Sequence, residues 1–356
     1  MHATVTKKKK INWAIIGLGK QGHRIAQAIN CARNGKLIAA VGSERKSVKK
    51  FAETYGAIHY STDLRKIISL KEIDAIFISS PTYKHKKHSL LSLKAKKHVL
   101  CEKPMALSSR DGLTMVKEAK KNGKKIYLGF HLRHHPLHQY AKQLISQGKL
   151  GILHLIEAHW SVGKLHEVKL SPFSSNELHM AWRENRQKSG GGALTARGVH
   201  LFDLIQFLTD KKIKEVSGYA DTLRKKTAVD SLAAGILRLE NDCPAIFATG
   251  RIIPQAVNRI IIYGSAGRII LANTLSTNAE GILEFLSGKK ILRKKGNGNN
   301  LYQKEVEDFG DTILGKKNEI LADARDGLHG IAVTEAFIRS TKYKKTEPVI
   351  DSAQKI

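Results

Sequence analysis

A glycine-rich hexapeptide, Gly17-Leu18-Gly19-Lys20-Gln21-Gly22, lies between the apolar run Ile11 to Ile16 and the helix-like stretch His23 to Arg33. The pattern G-x-G-x-x-G, closing a strand and opening a helix, is what the first turn of a nucleotide-binding βαβ unit requires. The first glycine permits the tight turn, the second lets backbone approach a pyrophosphate, and the third lets helix pack on strand. The helix N-terminus adds unpaired N–H groups and the positive end of a dipole. A dinucleotide is therefore expected here, with Gly17, Gly19, Lys20, Gln21 and Gly22 around its phosphates.

In loops of this kind an acidic residue about 20 positions on holds the ribose 2′-hydroxyl. After the second apolar run, Leu37 to Gly42, this chain has Ser43, then Glu44, Arg45 and Lys46. Ser43 can donate a hydrogen bond to a 2′-phosphate, and Arg45 and Lys46 can neutralise it. NADP(H) is the favoured cofactor. NAD(H) is the alternative, because a small backbone shift would let Glu44 take the acid's place.

Residues 11 to 128 alternate short apolar runs with amphipathic segments, the signature of a parallel sheet covered by helices. Strands are expected at Asn12 to Ile16, Leu37 to Val41, Ala75 to Ser79, His98 to Cys101 and Ile126 to Phe130. Helices are expected at Ser47 to Tyr55 and Lys84 to Lys94. After Phe130 a succession of strands and turns follows: Leu155 to Val162, Ile213 to Asp221, Ser231 to Glu240, Ala245 to Arg251, Asn258 to Tyr263, Arg268 to Ala272 and Ile282 to Phe285. Two helices join them, one from near Gly198 through Leu208 and one over Tyr302 to Leu314. The fold class is α/β: a doubly wound Rossmann domain at 10–128, then an α+β domain at 129–350 on a mixed or antiparallel sheet. At 356 residues and 42% hydrophobic the chain can fill two cores. Three cysteines without C-x-x-C spacing suggest neither a disulfide framework nor a zinc knuckle. They suit a reducing, cytoplasmic setting.

Three further stretches carry a resemblance. They are Ile73 to Pro81 with His85 beyond, His98 to Pro104 with its Glu102-Lys103-Pro104 triplet, and Gly190-Gly191-Gly192-Ala193-Leu194 followed by Gly198-Val199-His200. With Gly129 to Arg133, Trp182-Arg183 and Ile262 to Gly267, they resemble the Gfo/Idh/MocA family of glucose-fructose oxidoreductase, inositol dehydrogenase and relatives, over residues 10 to 350. The resemblance implies a Rossmann domain, and a C-terminal domain whose open, largely antiparallel sheet carries the substrate pocket and the interface of a homodimer or homotetramer. It implies hydride transfer between NAD(P) and a secondary alcohol or ketone of a sugar, cyclitol or nucleotide-sugar. Lys103 matches the lysine that contacts nicotinamide ribose and substrate hydroxyl, and His200 matches the histidine that assists proton transfer. Ser80, Pro81, His85 and Glu102 fall on the cofactor side, and Arg133, Trp182, Arg183 and Arg197 on the substrate side.

Removing a carbinol proton requires a base whose pKa lies near the working pH. Histidine is already close, whereas a lysine must be brought down by burial or neighbouring charge. The pattern departs from many sugar-oxidising relatives at Ala196, four residues before His200, where they carry an aspartate. Asp203 either orients His200 or is an ordinary first-turn acid, and Arg197 either holds an anionic substrate or faces solvent. The missing acid keeps a second function open, a non-catalytic dinucleotide-binding sensor of the same fold. His131, His134, His135 and His138 are not read as a metal site, because Pro136 interrupts any helix that would align them. Cys101 is read as a small buried apolar residue rather than a nucleophile.

The net charge of +30, from 61 Lys and Arg against 31 Asp and Glu, has two readings. One is an anionic partner, namely nucleic acid, a membrane or a negatively charged substrate. The other is a lysine-rich solvated surface. The lysines are spread along the chain without an RNA-binding signature, which favours the surface. The expected partner is the small sugar-type molecule that the resemblance implies, neutral or anionic. No apolar run approaches membrane-spanning length.

Overall fold

The computed structural model describes residues 10–163, 178–221 and 228–351. Its first half alternates strand and helix: β1 (Ile11–Ile16), α1 (Lys20–Cys31), β2 (Gly35–Val41), α2 (Arg45–Tyr55), β3 (His59–Ser61), α3 (Leu64–Ile68), β4 (Ala75–Ile78), α4 (His85–Lys94), β5 (His98–Cys101), α5 (Ser109–Lys121) and β6 (Ile126–Leu128). These six strands pair in parallel in the order β6-β5-β4-β1-β2-β3. The doubled covering shows within one strand. Ile11, Trp13 and Ile15 enter the layer filled from α1 and α2, while Ala14 and Ile16 enter the layer filled from α3, α4 and α5. Side chains two apart share a face of a strand, so a strand covered on both sides is apolar throughout.

The second half continues with α6 (Pro136–Ser146), β7 (Leu153–Ser161), α7 (Arg186–Ser189), α8 (Val199–Thr209), β8 (Ile213–Asp221), β9 (Leu232–Leu239), β10 (Pro244–Gly250), β11 (Arg259–Gly264), β12 (Gly267–Ala272), β13 (Ile282–Ser287) and β14 (Lys290–Lys295). It ends with α9 (Leu301–Ile313), β15 (Ala322–Asp323), α10 (Ala324–Tyr343) and β16 (Glu347–Pro348). A nine-stranded sheet runs β14-β13-β12-β11-β7-β10-β9-β8-β16, antiparallel except between β7 and β10. Helices α6, α8 and α10 bury one of its faces through Leu137, Phe202 and Phe337, among others. On the other face the cross-strand neighbours Ile236 and Ile246, with Tyr219 beside them, remain about half exposed.

Three features depart from the sequence reading. First, the chain returns to the first sheet late: α9 packs Tyr302, Val306 and Phe309 into the layer of α1, and β15 adds an antiparallel edge to β6. A division between 10–128 and 129–350 takes no account of this return. Second, Pro136 does not interrupt a helix but opens α6 at its first turn, behind an N-cap formed by the His135 side chain. A missing N–H costs nothing there. Third, the helix expected from Gly198 is preceded without a break by a widened π-turn, Leu194–Gly198, in which the N–H of Val199 reaches back to the carbonyl of Leu194.

Candidate active site

The glycine turn at the C-terminal end of β1 is built for close approach. Gly17 has φ of +98°, and a Cβ there would lie 2.5 Å from the backbone N of Ser80 at the end of β4. A Cβ on Gly19 would meet no atom within 4 Å, which is the room a pyrophosphate needs. Gly19 caps α1 without a side-chain bond, and the first turn holds no acid, so the N-terminal N–H groups and the dipole are uncompensated by protein. These residues fit a dinucleotide. Lys20 is exposed beside the turn.

The turn is tied to the loop after β5. The Gln21 side-chain amide donates to Glu102 Oε1 at 2.7 Å, and the Lys103 N–H donates to Glu102 Oε2 at 3.2 Å. The next peptide, Lys103-Pro104, is cis. His85 bridges this loop to β4, with Nδ1 2.9 Å from the Pro104 carbonyl and Nε2 2.8 Å from that of Ser80. Both ring nitrogens of His85 thus face protein carbonyls. The expectation that His85 binds cofactor is corrected to a positioning role: it fixes the backbone on which Ser80, Pro81 and Lys103 stand. Pro81 caps a short 3-10 turn, and the Ser80 hydroxyl lies 2.9 Å from His88 Nδ1.

Lys103 crosses to the second half of the chain, where its Nζ donates to the carbonyl of Ala196 on the π-turn at 2.7 Å. At the position where the relatives' aspartate is expected, the lysine therefore bonds to backbone. Burial brings the Lys103 ammonium down to about 8, assisted by Arg183 and Arg197 and opposed by the Glu102 carboxylate. Burial acts on His200 in the opposite sense to what its role requires. With Lys103 and His131 adding to the effect, its imidazolium is pushed well below the ordinary histidine range. His200 is thus a neutral ring at physiological pH, 96% removed from solvent, walled by Phe130, His131 and Trp160 at centroid distances of 5.2 to 5.6 Å. Its Nδ1 is enclosed with no partner, as is Nε2 of His131.

Two other expectations fail on geometry. Arg133 does not reach for substrate: Nε and Nη2 grip Asp203 at 2.6 to 3.1 Å, and Nη1 donates to Asp326 at 2.9 Å. Asp203 accordingly does not orient His200. Its carboxyl is raised to about 6 by burial against the pull of Arg133. The histidines after β6 are likewise separately engaged. His134 bonds Asp308, His135 the Glu280 carbonyl, and His138 both the Leu132 carbonyl and Thr274. Among the described residues no group of three potential metal ligands converges.

On the substrate side, Trp182 and Arg183 sit in the 3-10 turn Leu178–Glu184, the guanidinium 5.2 Å from the indole centroid. Arg251, at the end of β10, pairs with Glu184 at 2.6 Å. Most of the segment Val162 to Trp182, between β7 and the end of this turn, falls outside the described residues.

Sequence reasoning missed Asp230. From the start of β9 it accepts from the N–H groups of Gly192 and Leu194, each at 2.7 Å, and so shapes the loop that leads into the π-turn. Nothing local to position 230 announces this. Asp230→Ala leaves two buried N–H groups without their charged acceptor, so a loss of about 2 to 3 kcal/mol in unfolding free energy is expected by denaturant titration. An unchanged midpoint would contradict the role. Glu305 on α9 was missed as well. It is fully enclosed with neither oxygen partnered, and burial pushes its carboxyl well above the normal range.

Comparison with known proteins accords with this geometry. Residues 11–130 match the family model described as an oxidoreductase family with an NAD-binding Rossmann fold, and residues 138–270 match the GFO/IDH/MocA C-terminal domain. The chain is 23% identical to 1,5-anhydro-D-fructose reductase of Ensifer adhaerens over 92% of this chain and 95% of that protein. It is 29% identical to glucose-6-phosphate 3-dehydrogenase of Bacillus subtilis (strain 168) over 56% and 53% respectively. Among solved structures, the aldose-aldose oxidoreductase of Caulobacter crescentus complexed with glycerol shares the fold at a TM-score of 0.85 and 22% identity, over 96% of this chain and all of that one.

Proposed function

The chain belongs to the Gfo/Idh/MocA family of NAD-binding oxidoreductases, and from that premise we propose that it transfers a hydride between NADP(H) and a secondary alcohol or ketone of a sugar, cyclitol or nucleotide-sugar. The observation that carries the proposal is Lys103. It is joined through Glu102 and Gln21 to the glycine turn, held by the Ala196 carbonyl, and has a pKa of about 8. Relatives named for reduction or dehydrogenation of sugars support the substrate class.

When bound, the nicotinamide supplies the hydride acceptor or donor. The protein's own task is the proton. A lysine near 8 is the group best placed to take the hydroxyl proton in oxidation or return it in reduction. His200, neutral, offers a hydrogen bond that orients the same hydroxyl. The proton-carrying role that the residue types alone divide between Lys103 and His200 thus falls on Lys103. Substrate binding falls to Lys103, His200, Trp182, Arg183 and Arg197. The test is a screen of sugars, keto-sugars and nucleotide-sugars followed by nicotinamide absorbance. Cofactor binding without turnover on any class would favour the sensor reading, for which the absent acid at Ala196 speaks.

The preference for NADP(H) rests on the end of β2. Ser43, Arg45 and Lys46 are exposed there, and the Glu44 carboxylate is occupied by the Ser47 hydroxyl at the start of α2. Tighter binding of NADPH than NADH is expected, and Arg45→Glu with Lys46→Glu should reverse it by about 100-fold in the ratio of dissociation constants. A clear NADH preference in the unaltered protein would sink the assignment. The half-exposed Tyr219, Ile236 and Ile246 support a homodimer or homotetramer assembled through the open sheet face. The free thiols Cys31, Cys101 and Cys243 support a cytoplasmic location.

A further inference from the structure

Arg197 stands next to the lysine's anchor. The Ala196 carbonyl accepts from the Lys103 ammonium at 2.7 Å, so the Arg197 side chain leaves the backbone at the residue that follows the lysine's acceptor. Arg197 is half-buried on the π-turn, and among the described residues no carboxylate or other acceptor pairs with it. Its charged neighbours are Arg183 and Arg251, and its own charge in turn acts on Lys103 and His200. The carboxylates that would serve it are committed elsewhere: Glu184 to Arg251, Glu102 to Gln21 and the Lys103 N–H, and Asp230 to the N–H groups of Gly192 and Leu194.

A half-buried guanidinium that has two further guanidinium groups as neighbours and no acceptor of its own is unfavourable unless something else neutralises it. Burial and the two arginines already bring Arg197 down to about 10. A planar fork of N–H donors is suited to one class of ligand group, an oxyanion taken by two parallel hydrogen bonds. The ribose phosphate of the proposed NADP(H) does not meet this demand, because Ser43, Arg45 and Lys46, proposed to hold it, follow β2, three strands away from β5 in the sheet.

We infer that the substrate carries an anionic group, a carboxylate or a phosphate monoester, and that Arg197 binds it while Lys103 handles the reacting hydroxyl. This rests on the reading of the chain as a sugar oxidoreductase. Arg197 is then the residue that separates a sugar acid or sugar phosphate from the neutral sugar of the same configuration.

The experiment compares matched sets, glucose, glucuronate and glucose 6-phosphate and the galactose equivalents, with NADP⁺ and with NAD⁺. For the unaltered protein at least one anionic member is expected to exceed its neutral partner in kcat/KM by 10-fold or more. Which member does so separates carboxylate from phosphate. Arg197→Met should lower the anionic-to-neutral ratio by about 30-fold, mainly through KM, and Arg197→Lys should restore part of it. A neutral preference in the unaltered protein, or a ratio unmoved by Arg197→Met, would overturn the inference while leaving the oxidoreductase reading intact. Should no sugar turn over, the readout is the shift in thermal midpoint caused by inorganic phosphate and by glucuronate with NADPH bound. A shift from either that Arg197→Met abolishes supports the inference, and no shift from either in the unaltered protein overturns it. Because the guanidinium has no partner to lose, the thermal midpoint of Arg197→Met without ligand is expected to be unchanged or higher. A lower midpoint would mark a structural role and count against the proposal.

Discussion

Lys103→Ala is expected to reduce kcat/KM on the preferred sugar by about 10³-fold, the range that removal of a positioned general acid or base produces. The methyl group that replaces the amine can neither accept the proton of a hydroxyl nor donate one to a ketone. Lys103→Arg should fail nearly as badly, since a guanidinium stays protonated at any working pH. The pH dependence fixes the direction. With the Lys103 ammonium at about 8, oxidation of the alcohol should accelerate as pH rises through 8, because the neutral amine is the base. Reduction of the ketone should slow over the same interval, because the protonated form is the acid. Added methylamine should restore part of the lost oxidation in Lys103→Ala. Turnover within about threefold of the unaltered protein, or a rate profile flat from pH 7 to 9, would refute the assignment.

Much of this site is written locally. A strand of buried apolar residues, a G-x-G-x-x-G turn and a helix without a first-turn acid are consecutive in the chain, so reading them in order reads the cofactor turn. The Glu102-Lys103-Pro104 loop was legible for the same reason, standing at the C-terminal end of a central strand where ligands of such sheets bind. The order in which partners are chosen across the fold is different. β14, Lys290–Lys295, has four basic residues among its six and carries no clean strand alternation, yet it is the sheet's edge strand, where solvated lysines are at home. The return of α9 to the first domain depends on Phe309 meeting Trp13 some 300 positions earlier, at 5.4 Å between ring centroids, and no local pattern encodes such a contact.

The proton chemistry shows the same division. Residue types named Lys103 and His200, but their environments inverted the expected ease of titration. Burial is a property of the assembled molecule: it moves a lysine toward neutrality and moves a histidine out of the useful range. What looked like the more natural proton carrier is the one the fold keeps neutral. Arg133 and Asp203 illustrate the point from another side. Each had a plausible local role, beside a histidine cluster or one helical turn from His200, and each was claimed instead by a partner 70 residues away.

That pairing makes a second large effect. Arg133→Met should destabilise the fold by about 4 kcal/mol, because removing one member of a buried ion pair strands the other. Arg133 and Asp203 are 6% and 3% exposed, and Arg133 also holds Asp326, whose carboxylate accepts the N–H of Asp323 in the capping box of α10. One guanidinium thus joins the segment after β6, helix α8 and the start of α10. The loss should depend on pH with a predictable sign. Asp203 in the folded protein sits at about 6, above its ordinary value of 3.8, so stability from this group is fully present at low pH and declines as pH rises through that interval. Without Arg133 the folded-state value rises further and the decline extends upward. The deficit of Arg133→Met relative to the unaltered protein should therefore be larger at pH 8 than at pH 5. Adding Asp203→Leu should recover most of the lost stability, since an apolar replacement of both partners leaves no buried charge behind. Denaturant titration of the two single variants and the double variant at both pH values measures all of this. Equal losses at pH 5 and pH 8, or a double variant no more stable than Arg133→Met, would show that the guanidinium acts through packing alone.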